Sequence, residues 1–437
     1  MIYILLLTLC ILTIIGLLFS NFNIISPFVI SCIVYLISVF FIILNRDNWS
    51  IEITSKTTLI IISALIIFGL GEILSNNFWG KRRRNRGIIF SNEKINISPK
   101  VNICILIFSI TILILYYFRI REIAIQVGYK SGQNLMIQYA RLGILNMGIS
   151  IGYLLAIGTF ILRSLAYIYT FIYIYNKVIY TKSKKLEDIY LLIPIICYLI
   201  QYSLGGSRGG LIEYISYALS MWYILKVKSN KNKIKNNINI IKGGILALII
   251  FFVVFAILGV IKGSKANEIK STLSLYTGGS ILALDKFLMG PRNISSIFGK
   301  ESLIGINNIL YMLNIYPEES SRVLEFINIG NGYSTNIYTA LRRYINDFGY
   351  LGMLIIQFLL GFIMNFLTLI VTKIKRISYL DILYPTLFMI LVYQSIDEQF
   401  LVSLFSTTQI FTVSITYILY KVLLSREIKK SIIIYKY

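Results

Sequence analysis

Apolar runs close to 20 residues long recur along most of this chain, and no other feature restricts its fold as severely. At 1.5 Å of rise per residue, about 20 apolar residues in a helix cross the hydrocarbon core of a bilayer. Within that core each backbone N–H and C=O must be bonded inside the segment, which a helix achieves alone. Eleven runs meet or approach the required length, at about 2–19, 25–44, 57–74, 101–118, 148–175, 188–204, 210–228, 243–261, 350–372, 379–396 and 402–420. The first lacks a basic leader and a small-residue cleavage site, so a retained span is expected there. With 57% hydrophobic and only 14% charged residues, a water-soluble coat is not available. The expectation is an all-α polytopic integral membrane protein of about 11 transmembrane helices. Residues 1–437 would form a single membrane domain, with a large external loop at 262–349 containing short helices.

Lysine and arginine placement sets the expected orientation, because short basic loops stay cytoplasmic. One set of alternate loops carries Lys81, Arg82, Arg83, Arg84 and Arg86, then Lys177 to Lys185, Lys226 to Lys242, Lys373 to Arg376, and the tail from Lys421 to Lys436. The C-terminus is therefore expected inside and the N-terminus outside. The net charge of +23 is read as mostly topological. A nucleic-acid site at Lys81–Arg86 is the weaker alternative, and no nucleic-acid partner is expected.

The composition also removes chemistries. There is no histidine, which excludes a His-ligated metal, a Ser-His-Asp triad and an imidazole base. The four cysteines, Cys10, Cys32, Cys104 and Cys197, lie in apolar runs without CxxC spacing, as inert buried thiols do. No metal and no cofactor are expected.

Three constellations stand out. In Leu204-Gly205-Gly206-Ser207-Arg208-Gly209-Gly210, four glycines flank one arginine between two spans. Glycine permits close backbone approach, free N–H groups in such a turn make an anion nest, and a guanidinium fork fits phosphate oxygens. Gly206, Ser207 and Gly209 are the nest candidates around Arg208, against the plain reading of a tight interhelical turn. The second stretch, Asn331 to Gly352, has Ser334 or Thr335 as a helix cap. Tyr338 with Arg342, and Arg343 with Asp347, lie four apart and share a helix face. Asp347 either orients Arg343 in a structural ion pair, or the two arginines face an anionic headgroup. The third comprises Arg163, near mid-span, and Glu213. A mid-membrane charge needs a partner or cavity, so Glu213 is expected to pair with Arg163 or with Arg208. In the long loop, Pro317, Glu318 and Glu319 followed by Gly330 predict a helix over 317–328.

Gly205-Gly-Ser-Arg-Gly-Gly210 and Asn336-Ile-Tyr-Thr-Ala-Leu-Arg-Arg-Tyr-Ile-Asn-Asp-Phe-Gly349 together resemble motifs of the Wzy-type O-antigen and capsular polysaccharide polymerases. The span pattern and late outer loop are similar across most of the chain. The resemblance implies polymerisation of undecaprenyl-diphosphate-linked oligosaccharide repeat units at the outer face of the bacterial cytoplasmic (inner) membrane. A growing chain leaves its lipid diphosphate and joins a sugar hydroxyl on the incoming unit. It also implies Arg208 and Arg342 or Arg343 as binders of diphosphate or acidic sugar, with a chain-length regulator and a flippase as working partners. Charge neutralisation on phosphate oxygens is what such a reaction most requires, and arginine supplies it without metal. Any base for the acceptor hydroxyl must be an external carboxylate, since histidine is absent; Asp347, Glu301, Asp285, Glu319, Asp397 and Glu398 are the candidates.

Two other enzymatic or transport classes compete. A lipid-linked oligosaccharide flippase needs polar residues along a path through many helices, and intramembrane charges here are few. An O-antigen ligase would use nearly the same chemistry, usually with a loop histidine that this chain lacks. A non-catalytic membrane scaffold is the remaining class.

Overall fold

The structure is a computed structural model that describes residues 1–49, 52–80, 88–90, 94–130, 135–180, 188–206, 209–229, 238, 241–246, 253, 256, 266–291, 297–374, 376–425, 428 and 432–434. The described residues are mostly helical. Among the described residues, seven helices are long and apolar enough to cross a membrane: Ile2–Phe19, Pro27–Leu44, Ser55–Phe78, Pro99–Gln126, Tyr153–Val178, Ala340–Lys373 and Thr407–Leu424. Each overlaps an expected run, although the 402–420 run is divided between the Leu401–Leu404 turn and the Thr407–Leu424 helix. The 188–204 and 379–396 runs form shorter apolar helices, Ile189–Leu204 and Leu380–Val392. The 210–228 run is the Gly209–Ser229 helix. The 243–261 run falls largely outside the described residues.

The chain divides into two compact units. The first comprises Met1–Arg84, Lys270–Ile370 and Phe388–Ile410. Its spans pack through small residues, as membrane helices do where backbones approach closely. A Cβ at Gly71 would sit 2.2 Å from the Phe358 carbonyl oxygen, and one at Gly361 would sit 2.1 Å from that of Phe68. Glu72 is buried on this interface and caps the Pro27–Leu44 helix. It accepts the Ser26 hydroxyl at 2.6 Å and the Phe28 N–H at 2.8 Å.

From Lys270 onward the same unit holds the rest of the Ala266–Thr277 helix, helices Gly279–Met289 and Ile304–Met312, then a hairpin of Ile327–Gly330 and Tyr333–Thr335. Short helices are therefore present in this segment, but the expected 317–328 helix is not one of them. Residues 319–326 are irregular and 327–330 are extended. The physical reason lies in competing hydrogen bonds. Asn308 takes the Ser320 N–H at 2.8 Å and donates to its carbonyl at 3.2 Å, and the Ser321 hydroxyl takes the Val323 N–H. Such side-chain bonds divert the backbone groups that a first helical turn would use. Asn331 and Gly332, both at positive φ, then turn the hairpin in the manner of an Asn-Gly two-residue loop. The helix that follows begins at Ala340, so Ser334 and Thr335 lie in the strand instead of capping it; the Thr335 hydroxyl accepts the Ile337 N–H.

The second unit comprises Asn85–Ile269, Val371–Leu387 and Phe411–Tyr437. Its core is tyrosine-rich. Tyr167 and Tyr217 stack with centroids 4.3 Å apart, and the Tyr217 hydroxyl donates to the Tyr167 carbonyl at 2.8 Å. A fully buried ion pair joins Lys228 to Asp381. Asp381 also accepts the Ser378 N–H at 2.7 Å, and Lys228 also donates to the Arg376 carbonyl at 3.2 Å.

Candidate functional site

In the first unit, the Ala340–Lys373 helix is broken by Gly349, whose φ of 69° and ψ of −175° lie in a region open essentially only to glycine. The break separates a membrane-length segment from a short helix that carries Leu341-Arg342-Arg343-Tyr344 and Asn346-Asp347. Residues 342 and 346, and 343 and 347, are each four apart and lie on one helix face. All four of those side chains converge on a single residue, Glu301. Arg342 Nη1 lies 2.6 Å from Glu301 Oε2, and Asn346 Nδ2 donates to Oε1 at 3.0 Å. Arg343 Nη1 donates to the Glu301 carbonyl at 2.8 Å. Asp347 accepts the N–H of Glu301 at 3.1 Å and that of Ser302 at 2.7 Å.

This corrects the expected Arg343–Asp347 relationship. Asp347 anchors the loop that presents Glu301, while Arg343 pairs with Asp397 at 3.4 Å and donates to the Arg322 carbonyl at 2.8 Å. Tyr338 and Arg342 do meet, but not as neighbours on one helix face, because Tyr338 precedes the helix that begins at Ala340. The Arg342 guanidinium lies 4.3 Å from the Tyr338 ring centroid and 4.8 Å from that of Phe287. Each such cation–π contact contributes about 0.5–2 kcal/mol, more when desolvated. With rings on the guanidinium, its remaining reach is along the edge. There it holds Glu301 and, through Nη2 at 2.7 Å, Glu325.

The two carboxylates differ in kind. The Glu301 side chain is 17% exposed and that of Glu325 is 66% exposed, against 3% for Arg342. Breaking a buried pair costs about 3–5 kcal/mol, whereas an exposed pair is worth only about 0–1 kcal/mol. Glu301 is thus a fixed partner of Arg342, and Glu325 is an exchangeable one. Burial pushes the Glu301 carboxyl above the usual glutamate range, although Arg342 and Arg343 pull it down. Burial likewise pushes the Tyr338 phenol up to about 12, so it remains a hydroxyl at neutral pH and donates to the Glu325 carbonyl at 3.1 Å.

Two of the other carboxylates named from the sequence make mainly structural bonds. Asp285 accepts Thr54 and Thr57 groups on Oδ1 at the start of the Ser55–Gly80 helix, while its Oδ2 is buried without a hydrogen-bond partner. Glu398 accepts the N–H groups of Phe400, Leu401 and Val402 and the Tyr344 hydroxyl. That last bond pins the arginine-bearing helix to the 397–402 corner. Glu319 is exposed. Glu325 and Asn346 were not singled out from the sequence. The 342/346 spacing was available there as a signal for Asn346; Glu325 comes into reach only through the irregular backbone at 319–326.

In the second unit, Arg163 pairs with Glu213, one of the two partners expected for it. The Tyr167 hydroxyl accepts Arg163 Nε at 3.1 Å and donates to Glu213 at 2.9 Å. Gly206 takes positive φ, and its carbonyl accepts Arg141 Nη1 at 2.8 Å. Gly209 opens the Gly209–Ser229 helix; a Cβ at Gly210 would lie 2.1 Å from the Tyr202 ring. Ser207 and Arg208 lie outside the described residues.

No protein-family model, no curated protein and no solved structure matches this chain.

Proposed function

We propose that this chain is a membrane glycosyltransferase that polymerises undecaprenyl-diphosphate-linked oligosaccharide repeat units at the outer face of the bacterial cytoplasmic membrane. In this reading the chain crosses the membrane eleven times, the 262–349 segment is external, and the C-terminus is cytoplasmic. The observation that carries it is the convergence of Arg342, Arg343, Asn346 and Asp347 on Glu301. A fixed guanidinium beside a carboxylate held above its ordinary pKa offers the two groups the transfer needs.

The reaction then runs as follows. The glycosidic carbon's bond to the lipid diphosphate breaks, and its electron pair leaves on the diphosphate oxygen. Arg342 neutralises the charge that grows there; donors aimed at developing charge give the largest share of catalysis in such sites. The acceptor hydroxyl oxygen bonds to that carbon, and its proton passes to the Glu301 carboxylate. General-base assistance of this kind contributes about 10²–10⁴-fold. Asp347 and Arg343 act as positioning residues through the Glu301 backbone. Arg208, from the glycine-rich turn, is proposed as a further binder of diphosphate or acidic sugar.

Deleting the gene and resolving the surface glycan by gel tests this reading. A polymerase deletion displays single repeat units on an otherwise normal acceptor. Export of no units would point to a flippase, and long chains retained on undecaprenyl diphosphate would point to a ligase; either result rejects the proposal.

A further inference from the structure

Arg342 has one edge position that a ligand can reach, and Glu325 fills it. The guanidinium carries rings of Tyr338 and Phe287 at 4.3 and 4.8 Å, and its Nη1 is committed to Glu301. Nη2 holds the Glu325 carboxylate at 2.7 Å. The Arg342 Nε is buried without a hydrogen-bond partner, which leaves the inner part of the group short of acceptors. Glu325 stands on the irregular 319–326 segment, flanked by the exposed side chains of Val323 and Phe326. That segment is tied to the arginine-bearing helix at two points, the Arg322 carbonyl by Arg343 and the Glu325 carboxylate by Arg342, and Tyr338, just before the helix, bonds the Glu325 carbonyl.

We propose that Glu325 is an internal stand-in for an anionic ligand, and that a diphosphate group exchanges with its carboxylate on Arg342. The inference deepens the proposed function, on which its choice of diphosphate rests. Phosphate oxygens match a guanidinium edge as carboxylate oxygens do, and a diphosphate carries more charge than one carboxylate. Only the exposed link exchanges, because Glu301 is held by Asn346 and by the backbone contacts to Arg343 and Asp347 as well. Exchange frees the Arg342 tie on residues 319–326, while the Asn308–Ser320 and Arg322–Gln399 bonds stay. Glu325 therefore sets how much anionic charge is required to occupy Arg342, and it screens out weak monoanions.

The test uses the full-length protein in detergent with inorganic diphosphate as the probe, titrated by calorimetry. Glu325→Gln is expected to bind about tenfold tighter than the unaltered chain, and that gain is expected to vanish when Arg342→Gln is added. A gain that survives Arg342→Gln, or unchanged or weaker binding in Glu325→Gln, overturns the proposal. A second measurement needs no arginine variant. Hydrogen exchange of residues 319–326 in the unaltered chain is expected to speed up when diphosphate is added, and unchanged or slower exchange overturns the proposal. Chain growth is scored separately. Tighter diphosphate binding without polymer would retain the subsite and reject the polymerase; polymer formation indifferent to Glu325 would do the reverse.

Discussion

Arg342 and Glu301 face each other at 2.6 Å, with the arginine sealed from solvent and the glutamate only slightly open to it. Neither residue is near the other in sequence, and each has further contacts that hold it in place. Arg342 carries the Tyr338 and Phe287 rings, and Glu301 is held by three further side chains of the helix that bears the arginine.

Replacing Glu301 tests the base directly. Glu301→Gln keeps the shape and one acceptor for Arg342 but removes the proton sink. Chain growth is expected to fall by about 10²–10⁴-fold while membrane protein level stays near normal. Quantitative glycan gels alongside immunoblots read both quantities.

The same group predicts a pH dependence. Its carboxyl titrates above the ordinary glutamate range because burial outweighs Arg342 and Arg343, with Asp347 and Glu325 adding in the same upward direction. A base works only when deprotonated, so the rate falls as pH drops through this raised pKa. The acid limb should therefore lie at higher pH than for a free glutamate. The sign for stability is opposite: the folded state binds the proton more tightly, so this group's contribution to stability declines as pH rises from the unfolded to the folded pKa. Initial rates with purified protein across pH check the limb, which Glu301→Gln should abolish.

Asp347 is expected to act through position. Asp347→Ala leaves the Glu301 and Ser302 N–H groups without their acceptor, at about 1–3 kcal/mol. Asp347→Asn retains one acceptor oxygen and is expected to recover part of the activity. The pH limb should persist in Asp347→Asn, which separates a positioning role from that of the base.

Much of the architecture was readable because membrane crossing leaves a long, redundant signal. The runs at 2–19, 25–44, 57–74 and 101–118 each lie in a helix long enough to cross a membrane. The site was readable only within one helix. Tyr338 meets Arg342 from the irregular stretch before the helix, whereas periodicity set Arg343 on the face of Asp347. It did not foresee that both residues would turn to the backbone of Glu301, because that partner lies 46 residues before Asp347 and no local rule joins them. The 317–328 helix failed for a similar reason. Proline and two glutamates are sound start signals, but Asn308 competes for the same backbone groups.

Gly349 marks where the arginine-bearing helix parts from the span. Space is open around its Cα, so the constraint is its backbone angles alone. Gly349→Ala is expected to cost about 1–3 kcal/mol of strain and lower the melting temperature of the solubilised protein. It is also expected to reduce chain growth by displacing Arg342 and Asp347 together.

In the second unit, Lys228→Met or Asp381→Leu alone strands a buried charge and is expected to cost about 3–5 kcal/mol. The double replacement is expected to recover most of the loss. Thermal unfolding of the single and double variants measures the coupling.

The most direct measurement reconstitutes the purified protein in vesicles with undecaprenyl-diphosphate-linked repeat units. Elongated chains and released undecaprenyl diphosphate should accumulate together, and both should be lost in Glu301→Gln and Arg342→Gln. Unit movement across the bilayer without elongation, or elongation unaffected by those replacements, would contradict the account.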